Sequence, residues 1–255
     1  MSTVAFFAHP GHELRVLGWC MRHKPTVIIL TDGQGSQAKG RLARSVDILR
    51  KIGCRVHSRS GLLSDRDAYE AILAERPEAV ARFFVSVLEE IDLHVDQLVF
   101  DRIEGFNPTH DLVGVLGRLL GQRLESGRSE TKLSQWAISL EALPGEDKHH
   151  PDARELCRCT DPELELKLEL AQSYDELAPE VERAIRQAGV ETFRTEWGHR
   201  IEEGLALEQL IPSKPAFERH GEERVARKIY SRVLRRDEHL LPFLRRLFDQ
   251  LDSSR

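Results

Sequence analysis

The chain has 255 residues, of which 40% are hydrophobic and 31% charged, and a net charge of -5. This is the composition of an ordinary globular protein with a substantial core, in one large domain or two small ones, and its mild acidity gives no reason to expect a nucleic-acid partner. No apolar run approaches the roughly 18 residues that a membrane span needs, and residues 1–8 begin a strand without the pattern of a signal peptide. Four cysteines are too few for a disulfide framework in a chain of this length. We therefore expect a cytoplasmic protein.

Short apolar runs alternate with amphipathic segments through the first half of the chain. We predict strands at residues 3–8, 26–31, 54–57, 96–101 and 133–140. We predict helices between them, at about 12–23, 40–52, 65–91 with a break near Pro77, and 110–125. Strands that alternate with helices favour a parallel sheet with helices on both faces, which is a Rossmann-like, mostly parallel α/β fold.

The second half of the chain has a different pattern. Residues 143–160 are rich in Pro, Gly and charge and are predicted to form a loop, and no strand pattern is found from Asp161 onward. A helix begins at Asp161-Pro162, and further amphipathic helices are predicted at 178–189 and 221–248, broken around Pro212 and Pro215. We therefore predict an α/β core at 1–160 and a helical C-terminal region at 161–255 packed on it, with Leu-rich faces that could pair two copies.

Histidines follow two of the predicted strands. Ala8-His9-Pro10-Gly11-His12-Glu13 comes directly after the first strand, and Asn107-Pro108-Thr109-His110-Asp111 comes shortly after the strand at 96–101. The carboxyl ends of parallel strands meet at one edge of a sheet, where open α/β folds build their sites. Three histidines with an open fourth position are a ligand set that suits zinc. We therefore predict a Zn²⁺ site in the α/β core, with another divalent metal as the alternative, held by His9, His12 and His110.

The two motifs resemble those of the PIG-L/LmbE-like family of zinc-dependent N-deacetylases. That family's first motif reads Ala-His-Pro-Asp-Asp-Glu, and its second reads roughly His-Pro-Asp-His at the start of a helix. Val27 to Gly33 looks like the family's second strand and its Thr-Asp-Gly turn, and Arg44 with Asp47 resembles its Arg-x-x-Glu helix. The resemblance covers about residues 1–175. It implies a zinc-dependent hydrolase that removes an N-acyl group, foremost acetyl, from an amino sugar or a related small metabolite.

The resemblance also implies roles for individual residues. His12 stands where the family has its metal-binding Asp and would replace it as a ligand. Asn107 stands where the family has a histidine thought to assist the oxyanion, and an amide can still donate a hydrogen bond there. Arg44 would face the substrate, as the family's arginine does. The alternative for Arg44 is an ion pair with Asp47, one helical turn away.

The family's general base is missing from its usual position, because Gly11 stands where the family has Asp. Zinc lowers the pKa of a bound water to about 7, so a dedicated base is not essential, although a carboxylate would still help. We predict Asp101 or Glu104 as the replacement, since both precede His110 in the same loop. Asp101 could instead orient a zinc-binding histidine. If the metal suffices, Gly11→Asp should preserve or raise hydrolysis, unless the pocket is rebuilt around glycine.

Two other functions stay open on the sequence alone. A metal site without the usual base could hydrolyse a more reactive bond, such as an ester. A relative that has lost its base could also bind a sugar-like ligand without catalysis. In all three cases the expected partner is a small molecule that resembles an amino sugar.

Overall fold

The computed structural model describes residues 2–35, 40–92, 94–126, 132–201 and 206–253. Its strands are β1 (Thr3–Phe7), β2 (Thr26–Ile29), β3 (Arg55–Val56), β4 (Gln97–Asp101), β5 (Ser134–Ile138), β6 (Ala153–Arg158) and β7 (Thr195–Arg200). They form one sheet in the order β3-β2-β1-β4-β5-β7-β6. The first five strands are parallel, and β7 runs antiparallel to both β5 and β6. The predicted mostly parallel α/β fold is confirmed.

Helices connect the strands and fill the C-terminal region. They are α1 (Leu17–His23), α2 (Leu42–Lys51), α3 (Asp65–Leu73), α4 (Glu78–Glu90), α5 (Pro108–Ser126), α6 (Asp161–Gln172), α7 (Ala178–Ala188), α8 (Leu207–Leu210), α9 (Ala216–Ala226) and α10 (Leu241–Ser253). The break predicted near Pro77 separates α3 from α4. The helix predicted at 221–248 is wrong in its extent, because α9 and α10 are distinct and a π-helical turn at Arg236–Leu240 leads into α10. None of the described helices is long and apolar enough to cross a membrane.

Helices cover both faces of the sheet. Successive side chains of a strand point to opposite faces, so Phe6 and Phe7 of β1 belong to different cores, and both are fully buried. Phe6 shares a core with α4, α5 and α10, whereas Phe7 shares one with α1, α2 and α6. Strands buried on both faces are continuous apolar runs rather than alternating ones, which is why β1, β2 and β4 are visible in the sequence.

Two strands lie where the sequence predicts none. β6 forms within the predicted loop at 143–160, and β7 forms beyond Asp161, so the expectation that no strand follows that residue is wrong. β7 is not visible as a strand in the sequence because its buried residues are Glu196, Gly198 and His199 rather than apolar residues. The domain division at residue 160 stays a prediction, although β7 pairs with β5 from beyond it.

Glu196 shows how β7 tolerates a buried carboxylate. Its oxygens accept hydrogen bonds from the backbone N–H groups of Gly18 and Trp19, at 2.7 and 2.8 Å, and from Lys167 Nζ at 2.6 Å. Gly18 and Trp19 lie in the first turn of α1, where a negative charge complements the helix dipole. Glu196 therefore ties β7 to α1 and, through Lys167, to α6.

The strand order places a crevice at the centre of the sheet. From β1 the chain proceeds outward to β2 and β3, and then returns to β4 on the other side of β1. Ligands of open α/β sheets bind at such a reversal, beyond the carboxyl ends of the strands. Helix α5 packs directly on β4, because a Cβ at Gly117 would overlap the Phe100 ring. This close packing brings the N-terminus of α5 to the end of β1.

Candidate metal centre

Three histidine rings meet at the crevice between β1 and β4. His9 follows β1, His12 begins the 3₁₀ turn behind it, and His110 lies in the first turn of α5. The ring centroids are 5.3 Å apart for His9 and His12, 5.0 Å for His9 and His110, and 4.6 Å for His12 and His110. The structure therefore brings together all three predicted metal ligands.

His9 is oriented by Asp65, which the sequence did not single out. His9 Nδ1 lies 2.8 Å from Asp65 Oδ1 and 2.8 Å from Thr31 Oγ1, and Asp65 Oδ2 accepts a hydrogen bond from the Gly35 N–H at 2.6 Å. Although burial opposes ionisation, the hydrogen bond from His9 and those from Thr31 and Gly35 hold the pKa of Asp65 well below its usual value. When Nδ1 donates to this carboxylate, the lone pair of His9 is on Nε2.

The position of Asp65 explains why it was missed. It follows Ser64, whose side chain accepts a hydrogen bond from Asp67 N and caps α3. In sequence it is therefore an ordinary acidic residue in the first turn of a helix. Its contact with His9 depends on the loop after β3, which joins the sheet edge through a bridge between Thr31 and Leu63.

His12 is oriented in the same way by Asp101, at the end of β4. His12 Nδ1 lies 2.8 Å from Asp101 Oδ2, which also accepts the Ala8 N–H at 2.7 Å. Asp101 is fully buried and is not among the residues that line the cavity described below. Burial raises the pKa of Asp101 to about 8. Of the two roles predicted for Asp101, the orienting role matches this geometry more closely, and the catalytic role stays a prediction.

Burial favours the neutral form of the imidazoles of His12 and His110. Burial, followed by the nearby charge of His9, lowers the pKa of His12 well below its usual value. Burial and the neighbouring His12 and His9 do the same to His110. His110 Nδ1 is also buried and has no hydrogen-bond partner among the described residues. A neutral imidazole is the form that binds a metal ion.

The two other predicted catalytic residues are placed differently. Asn107 lines the cavity, and its Oδ1 accepts the Thr109 N–H at 2.8 Å, which caps the start of α5 and leaves the amide NH₂ as a donor. Glu104 does not line the cavity. Its Oε2 accepts the N–H groups of Leu140 at 2.8 Å and Glu141 at 3.3 Å, so it holds the loop after β5. Burial raises the pKa of Glu104, and its catalytic role stays a prediction.

Arg41, rather than the predicted Arg44, reaches the cavity. Arg44 forms an ion pair with Asp175 at 2.9 Å, with 40% of its side chain exposed, instead of the pair with Asp47 considered from the sequence. Arg41 lines the cavity, and its Nε donates to the Gly33 carbonyl at 3.0 Å. The substrate contact of Arg44 stays a prediction, and Arg41 is the arginine that the structure places beside the histidines.

A cavity of about 1080 Å³ opens in front of the three histidines. Asp65, Asn107 and Arg41 also line it, and its outer walls come from α3, α7, α9 and the loop after β5. Sites for drug-sized ligands measure about 300–1,000 Å³, so this cavity is large enough for a substrate well beyond a monosaccharide.

The backbone and the surroundings of Gly11 favour glycine at this position. Its φ is +103°, in the left-handed region, and a Cβ on this residue would overlap Leu177 Cδ1. Its N–H donates to Glu13 Oε2 at 2.8 Å and to Ser45 Oγ at 3.1 Å, which fixes the loop between His9 and His12. The left-handed backbone and the contact with Leu177 favour the alternative in which the pocket is built around glycine, and the effect of Gly11→Asp on hydrolysis stays a prediction.

We expect Gly11→Asp to destabilise the protein and to impair the site. The left-handed backbone alone should cost about 1–3 kcal/mol of the free energy of unfolding, and the overlap with Leu177 adds to this. Urea unfolding would measure the loss, with Gly11→Ala as the control that adds a Cβ but no charge. Adding Leu177→Ala to Gly11→Asp should recover part of the loss. Unchanged stability together with faster hydrolysis in Gly11→Asp would contradict this reading.

Among the described residues, no group of three or more His, Cys, Asp or Glu side chains is arranged so that it could hold a metal ion as it stands. The three imidazoles can still be compared with the ligands of a zinc ion by the distances between their rings. Ring nitrogens bound at about 2.0–2.1 Å to one zinc ion would put the centroids roughly 5 Å apart. The observed separations of 4.6–5.3 Å are compatible with this distance, and the metal site stays a prediction.

Comparisons with known proteins include a distant structural likeness. No family model matches the chain, and no curated protein matches it. The crystal structure of the zinc-inhibited form of teicoplanin deacetylase Orf2 is similar at a TM-score of 0.48 and 10% sequence identity, covering 80% of this chain and all of that chain. A likeness of this degree does not extend to the chemistry of a site. Membership of the PIG-L/LmbE-like family therefore stays a prediction.

Proposed function

We propose that this protein is a metal-dependent hydrolase that removes an N-acyl group, foremost acetyl, from an amino sugar or a related small metabolite. The observation that supports this most is the cluster of three imidazoles in front of the cavity, two of them held through Nδ1 by carboxylates. Histidines that bind catalytic metals usually have such a partner on their other ring nitrogen. The cluster also lies at the reversal of strand order, where this architecture places its ligands.

His9, His12 and His110 would hold the metal, foremost Zn²⁺. When bound, zinc polarises an acyl carbonyl and lowers the pKa of water to about 7. Asp65 and Asp101 would keep Nε2 of His9 and His12 free of a proton and aimed at the centre. His110 Nδ1, which is buried without a partner among the described residues, marks a position for a further polar contact.

The remaining polar groups would position the substrate. The Asn107 amide lies at the N-terminus of α5, where both its NH₂ group and the helix dipole stabilise a developing oxyanion. Arg41 supplies a positive charge beside the cavity for an oxygen-rich substrate. Among the described carboxylates, only Asp65 both contacts one of the three histidines and lines the cavity. Its low pKa makes it a weak base, so holding His9 is the larger part of its role.

Amine release from N-acetylglucosamine and related N-acetyl compounds tests this function. We expect release that stops when a chelator removes the metal and returns when zinc is added. O-acetyl esters of the same sugars would be assayed in parallel. Because Gly11 cannot act as a base, the site could be limited to hydrolysing bonds more reactive than an amide, such as esters. Ester cleavage without amide cleavage would move the proposal to an esterase. Ligand binding without any cleavage by the zinc-loaded protein would contradict catalysis altogether.

A further inference from the structure

Three of the five large hydrophobic side chains that are exposed among the described residues surround the cavity. Phe106 is 46% exposed, Ile229 49% and Tyr230 40%, and all three line it. The other two, Leu62 and Val190, do not line it. Isolated exposed apolar residues are normal on protein surfaces, but a concave cluster of them marks a place where a ligand binds.

These side chains belong to a set of apolar residues that line the cavity from α3, from α9 and from the segments before α5 and after α9, and we call this set the aromatic lobe. Its apolar members are Tyr69, Leu73, Phe106, Phe217, Ile229 and Tyr230. The rings of Tyr69 and Tyr230 pack with centroids 5.8 Å apart, and Phe106 lies 6.2 Å from the ring of His110. The lobe therefore starts at a proposed metal ligand and extends outward along α3.

An acetamido sugar alone does not account for this lobe. Leucine, isoleucine and phenylalanine offer no hydrogen bonds to sugar hydroxyls, and the cavity exceeds the size that a single sugar ring needs. Aromatic faces that remain exposed attract another ring in an offset or edge-to-face arrangement. An aryl group attached close to the scissile amide would cover Phe106 and Tyr230 while the amide lies at the histidines.

We propose that the substrate carries an aryl group next to its N-acyl bond and that the aromatic lobe binds this group. The proposal rests on the proposed hydrolase function for the position of the amide, but the lobe binds the aryl group whether or not hydrolysis follows. The aryl group could be part of the acyl chain or of the amine, and both arrangements share the same binding chemistry.

Three compounds test the proposal and separate the two arrangements. They are N-acetylglucosamine, its 4-nitrophenyl β-glycoside with the aryl group on the amine side, and N-phenylacetylglucosamine with the aryl group on the acyl side. Calorimetric Kd values on metal-depleted protein measure binding independently of turnover. We expect one of the two aryl compounds to bind about tenfold or more tightly than N-acetylglucosamine, since covering a phenyl ring is worth at least that factor.

Variants assign the gain to the lobe. Tyr230→Ala and Phe106→Ala should each remove most of the advantage of the aryl compound, and Tyr230→Phe should keep it. Val190→Ala is the matched control, because Val190 is equally exposed but lies outside the cavity. Circular dichroism would confirm that the variants are folded.

Equal Kd values for all three compounds would overturn the proposal even if N-acetylglucosamine is hydrolysed. Aryl binding that depends on Tyr230 but leads to no hydrolysis would support the lobe and reject the hydrolase function.

Discussion

Replacing His110 with alanine should remove both the metal and the hydrolytic activity. We expect the purified protein to contain about one divalent metal per chain, mainly zinc, because three imidazoles with an open position are a catalytic zinc ligand set. Two imidazoles alone should not retain the ion through purification. Inductively coupled plasma mass spectrometry on the purified variant measures the loss directly.

The control for this variant is His94→Ala. The His94 side chain is 95% exposed, and its hydrogen-bond partner among the described residues is Asp92. This variant should therefore keep its metal and its activity. A triple alanine variant at His9, His12 and His110 should contain no metal. Stoichiometric metal in that triple variant would place the ion elsewhere and contradict the assignment.

Asp101→Asn should weaken zinc binding by about 10- to 100-fold, the usual effect of removing a carboxylate behind a metal-binding histidine. The substitution keeps the volume of the side chain but replaces the ionisable carboxyl group that faces His12 Nδ1 with an amide that cannot ionise. Glu104→Gln should leave zinc affinity unchanged, because the Glu104 carboxylate accepts the loop N–H groups of Leu140 and Glu141 rather than bonding to one of the three histidines. Competition with a chromophoric chelator gives the affinities, and turnover at saturating zinc gives the rates.

The two measurements separate positioning from catalysis. A positioning residue lowers zinc affinity and leaves most of the turnover at saturating zinc, and Asp65→Asn should behave in the same way through His9. A general base contributes about 100- to 10,000-fold to the rate. A rate loss of that size in Asp101→Asn with unchanged zinc affinity would contradict the positioning role and identify Asp101 as the base.

The metal ligands could be predicted because they depend on the most regular part of the chain. β1, β2 and β4 each contain a continuous apolar run, since both of their faces are buried, and His9 follows where one of these runs ends. Parallel strands bring their carboxyl ends to the same edge. His110 could be placed in the same way, because its motif follows the apolar run of β4.

Other features depend on contacts between distant parts of the chain. Gly11 meets Leu177 only because the segment after α6 returns to the first loop. Asp65 reaches His9 through the loop after β3, and nothing in its own neighbourhood in the sequence indicates this. β7 was missed because its buried positions are polar, and their partners, such as Lys167 and the first turn of α1, are recognisable only in the fold.

Crystals grown with zinc test the metal site most directly, through anomalous difference maps recorded on both sides of the zinc absorption edge. We predict one strong peak between the imidazoles of His9, His12 and His110 that is present only above the edge. Asp65 and Asp101 should remain hydrogen-bonded to Nδ1 of His9 and of His12. Zinc bound elsewhere on the chain, with the three imidazoles left without an ion, would contradict the proposed function.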